Sequence, residues 1–456
     1  MSLTDQPPRK PQAPFAQGLV ASDSSYLDEA AAQAALLTTF DTCDSCRRCV
    51  GRCAAFPALF DLIDESKNFS TADVPTAQWS DVLDRCHLCN QCVSSCGYAA
   101  PHPLALNVPQ AMLRAKAVRF ERGRVPLRDK LFTAITQPPH GLLRWPGVRH
   151  AINLVSRSSY LRQIASSLTG LDPAARLPRL TQPRWQPAKS SPVRTTDQEA
   201  PTHQRLPMRL VIDVSADGVD LPAELFEDLF KILDHNDIEH TTADFQLGAL
   251  RAAAVLGDSA ALLRAVQSQL PILAQHAKQG VGILVLSPSN AAMLKVTLPD
   301  LLAGNDDAQR VKSAVYGPME YLHARQVAGL LLNDFRQTLG QVNLHVACGS
   351  QVFADGQAAA SLLSVVPDTA VNTAARCSGH GCGWGYKRDF APLASHMGKP
   401  LFNILAQGTP DNIATECQHA INHISQGLEG LPQGRWQDKK PEILHPLRLL
   451  CMAYGL

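Results

Sequence analysis

Apolar positions recur at helical spacing through the first part of the chain and give way to short unbroken apolar runs in the second half. Ser24 or Ser25 is placed to cap a helix carrying Leu27, Ala31, Ala35 and Leu36. Phe56 to Ile63 and Gln78 to Leu83 read as two further helices, and Pro109 opens another through Arg122 with Met112, Leu113, Ala115 and Val118. Two amphipathic patterns follow: Val148, Ala151, Ile152 and Val155 share one face, and Leu161, Ile164, Ala165 and Leu168 share another. Beyond residue 207 the rhythm changes. Strands are predicted at Arg209 to Val214 and Val281 to Leu286, with helices over Pro222 to Asp234 and Ala292 to Val296. The order then restarts with a strand at Val342 to Ala347 and helices at Gln357 to Leu363 and Gln418 to Ile424. Such alternation predicts two similar α/β lobes with mainly parallel sheets.

The fold class is therefore α+β and multidomain. A Pro-rich disordered arm over 1–21 is followed by an α-helical module over 22–123 and a basic helical segment over 124–182. A linker over 183–207 leads to lobe one over 208–340 and lobe two over 341–456. The 456 residues are 45% hydrophobic and 18% charged, as in a globular protein, and no run approaches the length of a membrane span. The net charge of +1 conceals a basic stretch from Gln110 to Arg194, with sixteen Lys and Arg against three Asp and Glu. This stretch reads as helices with a solvated basic face, as a surface for an anionic membrane or as a dock for an acidic partner. Sparse aromatic residues and the lack of a reading motif argue against nucleic acid.

Cysteine changes the picture most. Eight of the thirteen stand in two copies of C-x2-C-x2-C-x3-C, Cys43, Cys46, Cys49, Cys53 and Cys86, Cys89, Cys92, Cys96. That spacing is a ligand pattern for two [4Fe–4S] clusters, in which the fourth cysteine of each run crosses to the other cluster. Zinc gives no reason for a third and fourth cysteine at these offsets in both copies. A disulfide framework suits short secreted chains, whereas this chain is long, has an odd cysteine count and opens without an apolar signal core, so reduced thiols in a cytoplasm are expected. Ala54 and Gly97 follow the fourth cysteines where proline is common.

A second set, Cys348, Cys377, Cys382 and Cys417, lies in lobe two near His345, His380 and His419. These four are candidates for a third cluster or a zinc ion, or else are buried and inert. Cys451 reads as a core residue. No FAD, NAD or ATP motif occurs in the chain.

Two cluster motifs, a linker and two α/β lobes in this order resemble the iron–sulfur subunits related to heterodisulfide reductase, such as those of glycolate oxidase and anaerobic glycerol-3-phosphate dehydrogenase. In that family each lobe is a cysteine-rich CCG domain. His345-Val346-Ala347-Cys348, Cys377-Ser378-Gly379 and Thr415-Glu416-Cys417-Gln418-His419-Ala420 match its elements, with Ser378 and Ala420 standing where cysteines would be. In lobe one, Phe245-Gln246-Leu247-Gly248 falls at the Cys-Cys-Gly and Asn290 is aligned with Cys417. The resemblance implies an electron-transfer subunit that serves an FAD-containing dehydrogenase and delivers electrons towards a quinone, peripheral to the inner face of a membrane. Its rivals are a disulfide-reducing catalytic subunit and a scaffold with structural metal. Arg47, Arg48 and Arg52 beside the first motif, and Arg85 and His87 beside the second, read as charge for reduced clusters, as a docking face or as solvated surface.

Overall fold

The computed structural model describes residues 25–136, 146–175, 206–215, 221–353, 356–431 and 442–456. The expected arm over 1–21 and the linker up to 205 lie outside them.

The N-terminal module is helical, as the periodicity predicts. Helix α1 (Glu29–Cys46) starts at Asp28, whose carboxylate accepts from the Ala31 amide at 2.6 Å. The predicted serine cap is displaced because an aspartate one turn later binds a free amide and suits the positive end of the helix. Helix α1 also runs through Cys43 and Cys46, so the first motif begins on a helix and becomes a loop only at Arg47, the left-handed C-cap with φ 48°. Helix α2 (Ala55–Asp64) follows Cys53, and α3 (Trp79–Arg85) delivers Cys86. The short α4 (Gln91–Ser94) carries Cys92, and α5 (Val108–Glu121) is capped by Asn107 with Pro109 in its first turn. Phe40, Leu59, Ile63, Val82 and Met112 form the core between these helices, and six of the eight cysteines pack against it.

Two parallel four-stranded sheets follow. In lobe one, β1 (Arg209–Asp213), β2 (Glu239–Ala243), β3 (Gly282–Val285) and β4 (Val315–Tyr316) are ordered β2-β1-β3-β4. In lobe two, β5 (Gly340–His345), β6 (Thr369–Ala374), β7 (Asn412–Thr415) and β8 (Ile443–Leu444) are ordered β6-β5-β7-β8. The two orders are the same, which confirms the predicted repeat. Buried apolar residues such as Ile212, Ile283, Leu284, Val342, Leu344 and Ile413 explain why these strands read as continuous runs.

Each lobe sends its last helix to its neighbour. The helix Pro318–Val327 packs on Ala358–Leu363 of lobe two, and Pro446–Tyr454 packs on Ala223–His235 of lobe one. One apolar cluster consequently spans both lobes, from Leu210, Leu229 and Leu233 to Leu344, Leu362 and Leu450. Cys451 sits in it fully buried.

The repeat corrects one alignment. Ser287 caps the helix after β3 as Cys417 caps the helix after β7, so Ser287, not Asn290, stands at the place of Cys417, and Asn290 parallels Ala420. The match of Gln246-Leu247-Gly248 to Cys377-Ser378-Gly379 holds, because the Val214 amide binds Ala243 as the Val346 amide binds Ala374. In lobe one this corner is filled by Asp213, which accepts from the Ser215 and Phe245 amides and the Ser215 hydroxyl. Burial raises this carboxyl to about 7, against the lowering effect of those hydrogen bonds.

The basic helices Pro146–Arg157 and Ser159–Thr169 form as expected, but the second does not bury its predicted face. Ile164 and Leu168 are exposed, Leu168 at 66%, while Ser166 and Thr169 are buried. Leu154 and Tyr160 are exposed beside them. Reading the stripe as packing on its own domain therefore fails for Ile164 and Leu168. No described helix is long and apolar enough to cross a membrane.

Candidate metal centre

The motif cysteines neighbour one another across the two runs. The Cys43 thiol is pushed up to about 12, first by burial and then by Cys49, Cys96, Cys46 and Cys53. Burial and then Cys96 raise Cys49. Thus Cys96, from the second run, stands with the first three cysteines. Burial and then Cys86 push Cys53 up to about 12, and burial followed by Cys53, Cys86, Cys49 and Cys43 raises Cys92, which thus has neighbours in both runs. Burial raises Cys86 too, and the Lys116 ammonium opposes it. A cavity beside the first group is lined by Cys43, Cys46, Cys49, Cys92 and Cys96 under Phe56, Phe60 and Tyr98.

Thiols crowded this way are costly to ionise without a cation, and thiolate ligation to iron relieves that cost. The donor set is all sulfur and apolar-walled, which fits an iron–sulfur cluster. Among the described residues, no three His, Cys, Asp or Glu side chains converge as a single ion would require. A cubane carries its ligands at separate corners and needs no such convergence.

The charges flanking the motifs divide. Arg47 is exposed and bound, at 2.6 Å from Asp44 and 2.5 Å from Asp64. Arg48 and Arg52 are also exposed, and Arg85 pairs with Asp81 at 2.9 Å. His87 is buried, which lowers its pKa to about 4 and keeps it neutral. Its ring packs 5.8 Å from that of Trp384, from lobe two.

Of the lobe-two cysteines, three come together and the fourth does not. Cys382 and then Cys377 are the thiol neighbours of Cys348, after burial has pushed it up to about 12. These face the second motif: Cys89 is raised well above its ordinary value by burial and next by Cys348. Cys89, Cys348 and Cys382 line one cavity where the module meets both lobes. Cys382 occupies it with left-handed backbone, φ 50°, in a turn supported by Gly381 and Gly383, and its sulfur lies 3.0 Å from the Ser289 hydroxyl of lobe one. Cys417 points elsewhere, 3.6 Å from His380 Nε2 and 4% exposed. His380 stacks on His419 at 5.5 Å, and His345 binds Thr415 and the Arg376 carbonyl. The places of Lys116, Arg251 and Trp384 around the second group are not legible in the sequence, since Lys116 stands in α5 among other basic residues, Arg114 and Arg119.

A family model described as the Citrate utilization protein B Fer4-like domain matches residues 36–121, the span that holds all eight cysteines. The N-terminal part of the chain carries a Fer4-like domain. Citrate utilization protein B of Escherichia coli is 34% identical over 84 residues, 18% of this chain. The match spans only 20% of that relative's length. No solved structure matches the chain. The Fer4-like domain suggests an iron–sulfur electron-transfer role.

Proposed function

We propose that the chain is the electron-transfer subunit of an oxidoreductase complex. It takes electrons from a separate FAD-linked dehydrogenase of glycolate, lactate, glycerol 3-phosphate or a similar small metabolite, and passes them towards the quinone pool. The observation that supports this reading is the gathering of eight thiols in one Fer4-like domain, with Cys96 beside Cys43 and Cys49, and Cys53 beside Cys86 and Cys92. We assign Cys43, Cys46, Cys49 and Cys96 to one [4Fe–4S] cluster and Cys86, Cys89, Cys92 and Cys53 to the other. Bound clusters supply one-electron chemistry, and the chain offers no hydride-accepting cofactor motif to do more. The protein's own part is to fix the thiolates, to shield them with Phe56, Phe60 and Trp384, and to keep the two groups side by side.

The CCG character of the lobes belongs to the same proposal. Cys348, Cys377 and Cys382 lie towards the second thiol group, while Cys417 is left to His380; three thiols are one short of a cubane's four, so a third cluster or a zinc ion there would need a further ligand. A disulfide-reducing centre finds less support, since Ser287, Gln246, Ser378 and Ala420 stand where its ligands would be. The exposed apolar residues Leu154, Tyr160, Ile164 and Leu168 beside a basic face support docking at an anionic membrane surface. The relative's name speaks of citrate use, in keeping with a small carboxylic acid as the partner's substrate.

The test is anaerobic purification followed by visible spectroscopy. A brown protein, bleached by dithionite and recoloured by a soluble quinone, is expected. A colourless protein with full-length mass contradicts the proposal.

A further inference from the structure

Lobe one has no cysteine, yet it reaches the Fer4-like domain, and what it brings there is charge. The helix Gly248–Leu256 packs across α5, so closely at its end that a Cβ on Gly257 (φ 83°) would lie 2.4 Å from the Lys116 carbonyl oxygen. That packing buries two cations beside the second thiol group. Arg251, 7% exposed, lines the junction cavity with Cys89 and Cys348. Lys116, 3% exposed, sets its ammonium 3.4 Å from the Val255 carbonyl oxygen, within electrostatic reach of Cys86; burial lowers its pKa and Cys86 opposes that, so it is the weaker charge of the two.

We propose that Arg251 and Lys116 tune the second cluster, raising its reduction potential, and that this is the retained function of the cysteine-free lobe. The inference rests on the reading that the eight thiols hold clusters. Reduction adds one negative charge to a cluster already surrounded by thiolates. Burial alone opposes that addition, and a fixed cation in the same low-dielectric region favours it. A guanidinium is the most dependable such charge, because it stays protonated. The cations beside the first group differ in being exposed: Arg48 lines its cavity and acts with Arg52 on Cys49, but both lie in water, where charge is screened, and Arg47 is already neutralised by Asp44 and Asp64. The interior group would otherwise be the harder to reduce. With Arg251 and Lys116 in place it becomes the favoured resting place for an electron entering at the exposed group, and it faces the thiols of lobe two. Both are positioning residues that act through the cluster's field rather than by ligation.

The experiment is a potentiometric titration followed by EPR on the full-length, cluster-loaded chain, comparing wild type with Arg251→Gln, Arg251→Lys and Lys116→Met. The result expected is a negative shift of one of the two midpoint potentials in Arg251→Gln and in Lys116→Met. The other potential stays unchanged, the iron content stays at the wild-type level, and Arg251→Lys recovers most of the shift. Unchanged potentials in Arg251→Gln at full iron content overturn the proposal, as does an equal shift in Arg251→Lys. If Arg251→Gln loses iron, Lys116→Met decides, and loss of iron there too overturns it in favour of a purely structural role. A wild type without iron overturns the electron-transfer reading instead.

Discussion

The indole nitrogen of Trp384, in the glycine-rich turn of lobe two, donates a hydrogen bond to the backbone carbonyl of Asp84, 2.9 Å away in the Fer4-like domain. The ring stacks on Phe390 at 4.8 Å, lies 9% exposed and packs with Ala54, the residue after Cys53. Trp384 thus fastens lobe two to the module between its two cysteine motifs. Trp384→Ala should destabilise this junction by about 3 kcal/mol, the cost typical of removing a buried aromatic side chain. Trp384→Phe, which keeps the stack and loses the hydrogen bond, should cost about 1 kcal/mol. Denaturant midpoints of the two variants check the order; equal costs would mean that the ring is not packed as described.

The proposed crossing of the fourth cysteines makes an asymmetric prediction. Cys53→Ser, although in the first motif, should abolish or alter the EPR signal of the interior cluster, the one sensitive to Arg251. Cys96→Ser should affect the exposed one. The reverse pattern would show that each run holds its own cluster.

Asp213 gives lobe one a pH dependence with a definite sign. Its folded pKa, about 7, is above the ordinary 3.8 because burial disfavours the carboxylate. The folded state therefore holds the proton more tightly than the unfolded state. The group's contribution to stability is fully present below about pH 4 and is lost as the pH rises through about 7. Asp213→Asn should flatten this slope, and denaturant melts of both proteins at pH 5 and pH 8 measure it. A slope unchanged in the variant would contradict the assignment.

Gly257 is the tightest point between lobe one and the module. Alanine there must adopt a left-handed backbone and also meet the Lys116 carbonyl oxygen. Gly257→Ala should cost about 1–3 kcal/mol, and hydrogen exchange should show the loss at α5 and at the helix Gly248–Leu256. A thermal midpoint equal to that of the wild type would contradict the close approach.

Much of this arrangement is legible in the sequence because it rests on local rules. The cysteine spacing marks the module, and apolar runs of strand length mark both sheets, since strands buried on two faces need no alternation. The helix start at Asp28 is not legible, because serine and aspartate compete for one cap and only the fold shows which amide is free. The counterpart of Asn290 is hidden because helix caps, not residue types, carry the repeat. The gathering of Cys348, Cys377 and Cys382 without Cys417 could not be read at all. It depends on the left-handed turn at Cys382 and on contacts across hundreds of residues, as do the places of Arg251 and Trp384. The exposed stripe of Ile164 and Leu168 shows the limit of periodicity, which says that a face is apolar but not what covers it.

The measurement that bears most directly on the central claim is iron and acid-labile sulfide per chain in the anaerobically purified protein, with EPR after reduction. Two [4Fe–4S] clusters require about eight iron atoms and two interacting reduced signals, and a third cluster in lobe two would bring the count to about twelve. Fewer than about four iron atoms, with no signal on reduction, would contradict the account.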